Sequence, residues 1–504
     1  MPLIKKAKEG DRAWSIFNWI LIAISGLILS CSQPTPPPNV LFIAIDDLRP
    51  ELNCYGAKHI HSPNIDRLAT RGVQFMDAHA QQAICMASRA SILTGIRPEH
   101  RGIYTGNSVQ DLAPDVTTLN RFFEQNGYSV AALGKIYHFD EDRKAQFGDQ
   151  HLSQGEWLGR GYVGPEAAKH IALNVAQKGE RIKGKGYPFE RVDVADNAYE
   201  DGYNAERAVK QLEVFKEKDQ PFFLALGFKK PHLPFNAPKK YWDKYPIEQI
   251  APPSITQWPK NTGPHCMRDW GELRGYYGMP QKPNDLSLDS TLILRQAYFA
   301  CVSYVDALIG QVLNKLDELA LTENTVIVLW ADHGFKLGDY NNWCKWSNLK
   351  IDTNVPFILS GPGVSVGEKC KTPVELLDIY PTLADLCGLD IPSHLDGKSL
   401  KPLLEQPQKS LDREIYTIWP HERKKYEETI MGYSIKNTQF NYIEWVNLSS
   451  GEVLDRELYD HQIDPNETKN IVNDVAYTNT VQLLSQKIAK RKEATDHQHP
   501  FGKK

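Results

Sequence analysis

The sequence has no CxxC pair and no Cys/His spacing of zinc-finger type, which speaks against a structural zinc site. It has no internal repeat, which speaks against a solenoid, and no low-complexity stretch apart from the prolines within residues 34–38. It also lacks a basic excess: 58 Lys and Arg stand against 62 Asp and Glu, a net charge of −4. Such a chain has no bulk attraction for nucleic acid, so an anionic ligand must be caught by a local basic cluster. The apolar run from Trp14 to Leu29 is short for a bilayer span and has the length of a signal-peptide core.

That run follows Lys5, Lys6, Lys8 and Arg12, and Ile28-Leu29-Ser30-Cys31 resembles a bacterial lipobox. Residues 1–30 therefore read as a lipoprotein signal peptide, with a lipid anchor through Cys31 and a stiff proline-rich tether over residues 31–38. An uncleaved membrane anchor is the alternative. The expected destination is the periplasmic or cell-surface side of an outer membrane. Without residues 1–30, which carry four basic and two acidic side chains, the net charge becomes −6. Of eight cysteines, Cys54, Cys266, Cys301, Cys344, Cys370 and Cys387 have no assigned role; an oxidising compartment permits disulfides, but spacing does not pair them.

The remainder, 41% hydrophobic and 24% charged over the whole chain, suits one large domain and a smaller one. Asn39–Ile45, Ser129–Leu133, Pro221–Phe228, Thr325–Trp330 and Val355–Leu359 read as buried strands, separated by helices at Ser62–Arg71, Thr117–Asn126 and Thr291–Leu316. Residues 140–215 read as long loops with short helices, where substrate specificity can reside. Beyond residue 405, Glu414–Trp419, Thr429–Ile435 and Asn441–Trp445 read as short strands before a helix around Gln482–Lys492. The fold class is α/β: a large, mostly parallel sheet between helices over residues 39–405, and a C-terminal α+β subdomain on an antiparallel sheet over 406–504.

Ligands of such sheets collect beyond the C-terminal strand ends. Asp46, Asp47, Lys135, His138, His232, Asp332 and His333 all fall just past such ends. Two acidic corners, Asp46-Asp47 and Asp332-His333, can gather oxygen ligands for one divalent cation, with the imidazole leaving the ion's identity open. The stretch Ile84–Gly95 places Cys85 at the mouth of a short helix that Ser88 can cap and Gly95 can end. A helix N-terminus favours a bound anion, and Arg89 adds a permanent cation. Lys345, between Trp343 and Trp346, reads alone as a solvated lysine beside aromatic packing.

Phe42–Pro50, Cys85–Pro98, Gly134–His138, Lys230–Phe235, Ala300–Asp306, Asp332–Gly334 and Glu457–Asp460, in that order, resemble the motifs of type I, formylglycine-dependent sulfatases of the alkaline phosphatase superfamily. The likeness runs from about residue 39 nearly to the end, and is greatest to the iduronate-2-sulfatase-like branch. The resemblance implies that Cys85 is oxidised to formylglycine by a sulfatase-maturating enzyme. It implies one Ca²⁺ held by Asp46, Asp47, Asp332, His333 and the modified Cys85. Arg89 and Lys135 would hold the formylglycine hydrate, His138 would take its proton, and His232 and Lys345 would bind sulfate, one protonating the leaving oxygen. The substrate implied is a sulfated oligo- or polysaccharide, such as ulvan or a glycosaminoglycan, bearing a 2-O-sulfate on iduronate or a related sugar. The alternatives are a phosphodiesterase or phosphonate hydrolase of the same superfamily, or a non-catalytic lipid-anchored binder of sulfated glycans. Ala87 departs from the family pattern, standing where many members have proline.

Overall fold

In the computed structural model the described residues are 36–496, apart from 106, 154–156, 268–270, 282–285, 410 and 422–429. The signal-peptide and lipobox readings, including Cys31, and most of the tether lie outside them.

The central strand is β1 (Asn39–Asp46), with every residue buried. Seven further strands complete its sheet: β2 (Gly72–His79), β3 (Ser129–Gly134), β4 (Phe222–Pro231), β5 (Thr325–Ala331), β6 (Asn354–Ser360), β7 (Glu368–Cys370) and β8 (Val374–Glu375). The order is β7-β2-β6-β5-β1-β4-β3, with β8 also pairing β2. β1 lies parallel between β4 and β5, with Val40 opposite both Phe223 and Val326. Both faces of this parallel core are covered, which is why β1, β3, β4 and β5 are near-continuous apolar runs. The sheet departs from the expected pattern at β6, which runs antiparallel to both β5 and β2. An apolar run carries no sign of its direction. β2 was not expected, because Gln74, Asp77 and His79 break its apolar pattern.

Between Ile45 and Asp46 the β1–β4 register shifts, and Asp47 follows with φ of 60°. This kink turns two successive carboxylates toward the same space. It is held by Tyr298, whose hydroxyl donates to the Asp47 carbonyl at 2.8 Å and accepts from the Arg49 N–H at 3.1 Å. At the end of β3, Gly134 has φ of +69°, and a Cβ there would meet the Gly227 carbonyl oxygen at 1.9 Å. Gly134→Ala is therefore expected to destabilise by about 2–4 kcal/mol, combining backbone strain with a backbone clash. A denaturant midpoint equal to that of the parent protein would show that β3 and β4 can separate without cost.

The long helix Leu288–Glu318 packs against β4, and its Asp306 carboxylate accepts from the N–H groups of Asn64 and Ile65 at 3.0 and 2.8 Å. Asp306 thus caps the helix Pro63–Thr70, while the hydroxyl of Ser62, at the N-cap position, accepts from Asn53 N–H and donates to Asp66. The segment 140–215 holds more helix than expected, including the 17-residue Glu200–Lys216. The C-terminal strands Ile415–Pro420, Ile430–Lys436, Phe440–Asn447 and Val453–Asp460 form an antiparallel meander backed by the helix Thr478–Asp496. The seven described cysteines are all free thiols.

Candidate functional site

Four parallel strand ends deliver the acids and bases to one place: β1 gives Asp46 and Asp47, β3 leads to Lys135, β4 to His232, and β5 to Asp332 and His333. The two acidic corners meet directly, the Asp47 N–H donating to Asp332 Oδ1 at 3.1 Å. The helix Cys85–Thr94 points its first turn at them. It begins three residues before Ser88, with extended Ile84 at the cap position and no side-chain cap. Ser88 is a correction to the sequence reading: its buried hydroxyl donates to the Asp332 carbonyl, fastening the helix to the corner rather than capping it. Gly95 ends the helix in the left-handed conformation, as its position suggested.

Cys85 Sγ lies 3.2 Å from His333 Nε2, and 3.8 Å from both Asp47 Oδ1 and Lys345 Nζ. Lys345 is buried, not solvated, and donates to the two Asp47 oxygens at 2.8 and 3.0 Å. Lys135 Nζ pairs with Asp46 Oδ2 at 2.5 Å. Arg89, fully buried, reaches Asp332 Oδ2 at 2.8 Å, Asp46 Oδ1 at 3.3 Å and the Ile136 carbonyl at 3.2 Å, and also donates to the Lys135 carbonyl. Its guanidinium thereby braces three strand ends. His138 makes no polar contact with this cluster but lines the cavity above it, with Asp46, Lys135 and His232.

The electrostatics separate the two aspartates. Burial pushes Asp46 up, but Lys135, His232 and Arg89 overcome it and hold the carboxyl well below the usual range. For Asp47 burial prevails over His232 and Lys345, raising it to about 6. Burial lowers His138, helped by Lys135, to about 4, so its imidazole is neutral near pH 7 and able to take a proton. Burial would lower His333 too, but Asp332, Cys85 and Asp47 push it up to about 10.

The donor chemistry fits a divalent cation. Ligand atoms of Asp46, Asp47, Cys85 and His232 lie within 4.8 Å of one another, as do those of Cys85, Asp332 and His333. Three buried carboxylates supply hard oxygens. His333 Nδ1 donates to the Gly334 carbonyl at 2.9 Å, which turns Nε2 toward Asp47 Oδ1, 3.3 Å away. A ligating histidine is commonly oriented in this way.

One charged member of the cluster carries no sequence signal. Glu272 Oε1 lies 3.2 Å from His232 Nε2, and its Oε2 lies 3.3 Å from Lys345 Nζ. The His232 Nδ1–H donates to the Leu233 carbonyl at 2.6 Å, which aims Nε2 at Glu272 and at Asp47. Glu272 arrives on a loop with no apolar periodicity and no neighbouring motif, so only the folded chain reveals it.

Comparison with known proteins gives the same grouping. Residues 38–389 match the family described as Sulfatase, and residues 338–494 the one described as N-sulphoglucosamine sulphohydrolase, C-terminal. The chain is 30% identical to iduronate 2-sulfatase of Homo sapiens, over 92% of this chain and 98% of that protein. A phosphonate monoester hydrolase from Silicibacter pomeroyi superposes with a TM-score of 0.70 at 21% identity, covering 91% of this chain and 96% of that one. A protein solved with its substrate D-glucosamine-2-N,6-O-disulfate superposes at 0.68 and 22% identity, covering 93% and 100%. At those identities the superpositions establish the alkaline phosphatase-like fold. The family match and the 30% identical relative establish more: the chain belongs to the sulfatase family, and is a sulfuric ester hydrolase.

Proposed function

We propose that this protein removes a sulfate ester from a sulfated, uronic-acid-containing saccharide, with the 2-O-sulfate of iduronate or a related sugar as the leading candidate. The observation that carries the reading is Cys85 Sγ set among His333, Asp47 and Lys345 within 3.8 Å, at the mouth of a helix and beside three buried carboxylates. The names of the relatives supply the saccharide: one is an iduronate 2-sulfatase, and one solved neighbour holds a disulfated glucosamine.

Cys85 oxidised to formylglycine would supply, once hydrated, the oxygen nucleophile for sulfur and a second hydroxyl through which sulfate could leave. A divalent cation, with Ca²⁺ favoured by the carboxylate oxygens, supplies charge withdrawal from the sulfate when bound. Asp46, Asp47, Asp332 and His333 would hold it. The chain's own residues then divide the remaining work. Neutral His138, on the cavity wall, would be the acceptor for the proton that the hydrate gives up. Arg89 and Lys135 would hold the hydrate, Arg89 also fixing the frame, Lys345 sets positive charge beside the sulfate oxygens, and His232, held by Glu272, delivers a proton to the leaving sugar oxygen.

Ala87 bears on maturation. The aerobic maturation enzyme generally prefers proline there, so a radical-type maturase is the proposed partner. The export reading adds a lipid anchor at Cys31 and a location at the periplasmic or cell-surface face, where sulfated polysaccharide is degraded. Peptide mass spectrometry across Cys85, paired with a sulfate-release screen on defined oligosaccharides, tests the whole. The expected result is an aldehyde at position 85 and sulfate release that falls on chelation and returns with Ca²⁺. An unmodified thiol in fully active protein, or phosphate and phosphonate esters cleaved far faster than sulfate esters, would overturn the reading in favour of the hydrolases that share the fold.

A further inference from the structure

The cavity above the strand ends has a volume of about 700 Å³ and extends well past the catalytic floor, along the helix Asp140–Phe147 and toward residues 157–161. Among the described residues its lining holds six Lys and Arg against three Asp and Glu, whereas the chain as a whole is acidic. Four of the six are committed. Lys135 pairs with Asp46, Arg143 with Asp140, Lys229 with Glu200, and Lys230 donates to the carbonyls of His232 and Pro234. Lys144 and Arg160 remain, both exposed, with no ion pair or hydrogen bond among the described residues.

Two uncompensated cations in a concave wall concentrate positive potential and draw an anion to that wall. Trp157 lies in the same lining, half-buried, its indole N–H donating to the Ala198 carbonyl at 3.0 Å and its ring set edge-on to Tyr203 at 5.7 Å. The indole is thus fixed as an apolar platform with a polar edge already satisfied. A flat sugar face suits the platform, and a planar guanidinium suits a carboxylate or sulfate, which it can bind through two parallel N–H bonds. A neutral substrate would make no use of either cation.

We propose that Arg160 and Lys144, beside Trp157, form a subsite for a second anionic group of the substrate, a carboxylate or sulfate on the same saccharide. The inference rests on the saccharide reading above and adds that one sulfate alone does not fill the cavity.

The test measures calorimetric binding to protein carrying Cys85→Ala, so that no probe is consumed. Three probes are used: 4-nitrocatechol sulfate, a uronate disaccharide with one sulfate, and a disulfated disaccharide without carboxylate. Adding Arg160→Ala with Lys144→Ala is expected to weaken at least one disaccharide by about tenfold or more and to flatten its salt dependence, while the aryl sulfate changes by less than about twofold. The disaccharide that loses affinity identifies the anion. Equal loss on all three probes would reduce the pair to a long-range field, and no loss on any would remove it from recognition; either overturns the subsite. If the protein without these two changes binds the aryl sulfate and neither disaccharide, the saccharide reading itself falls, and the subsite with it, before any wall variant is made.

Discussion

Cys85→Ala is expected to abolish sulfate release, by about 10⁴-fold or more, because it removes the atom on which the nucleophile is built. Stability should be nearly unchanged. The thiol is small and buried at the first position of its helix, and its closest polar neighbour is His333 Nε2 at 3.2 Å. Alanine keeps the helical backbone, takes away no backbone hydrogen bond and costs about 1 kcal/mol at most. Its neighbours retain their partners, since Lys345 still pairs with Asp47 and Arg89 with Asp46 and Asp332. The variant thus separates chemistry from folding, as loss of a brace would not. Sulfate release and denaturant midpoint are measured on the same preparation. A variant that keeps activity within about tenfold would place the nucleophile elsewhere.

How far the sequence discloses this site depends on which physical signal each part carries. Parallel strands buried on both faces leave continuous apolar runs, so Asn39–Ile45 and Thr325–Trp330 were readable, and with them the acids just beyond. Strand direction leaves no such trace, and β6 was therefore placed without its antiparallel sense. β2 hid behind buried polar residues: Gln74 donates to the Cys54 carbonyl and His79 meets Thr353, so their polarity is satisfied inside the core. In Val453–Asp460, whose exposed and covered positions alternate over its first half, the sequence shows only the motif Glu457–Asp460 and no strand signal. Ser88 misled for a similar reason, since a hydroxyl beside a helical stretch looks like a cap until its acceptor, the Asp332 carbonyl 244 residues away, is seen. Lys345 looked solvated because only the fold brings Asp47 to it. The motifs named the atoms of the chemistry; the supports around them, Glu272 and Tyr298 above all, are long-range contacts that spacing along the chain does not encode.

Arg89→Leu tests whether the frame matters as much as the nucleophile. Arg89 is fully buried between Asp332 and Asp46, its guanidinium over the Trp330 ring at 5.6 Å. Removing one member of a buried, hydrogen-bonded charge cluster leaves carboxylates without their counter-charge, a loss of about 3–5 kcal/mol. The carbonyls of Lys135 and Ile136 lose donors as well, which frees the end of β3 that carries Lys135. Activity is therefore expected to vanish even under conditions where the variant remains folded. The pH dependence has a definite sign. Burial raises Asp46, but Arg89, with Lys135 and His232, holds it well below the ordinary value, so this carboxylate contributes stability that is present above about pH 4 and lost as pH falls further. Deleting Arg89 removes its share of that contribution. The gap between parent and variant midpoints should then be widest near neutral pH and narrow on acidification. Arg89→Lys is expected to recover only part of the loss, because a single ammonium cannot span two carboxylates and two carbonyls as the forked guanidinium does. Denaturant titrations of the three proteins across pH measure both effects. Equal midpoints for parent and leucine variant at neutral pH would mean that the remaining cations, Lys135, Lys345 and His232, compensate the acidic corners, and that Arg89 is a bystander to the site.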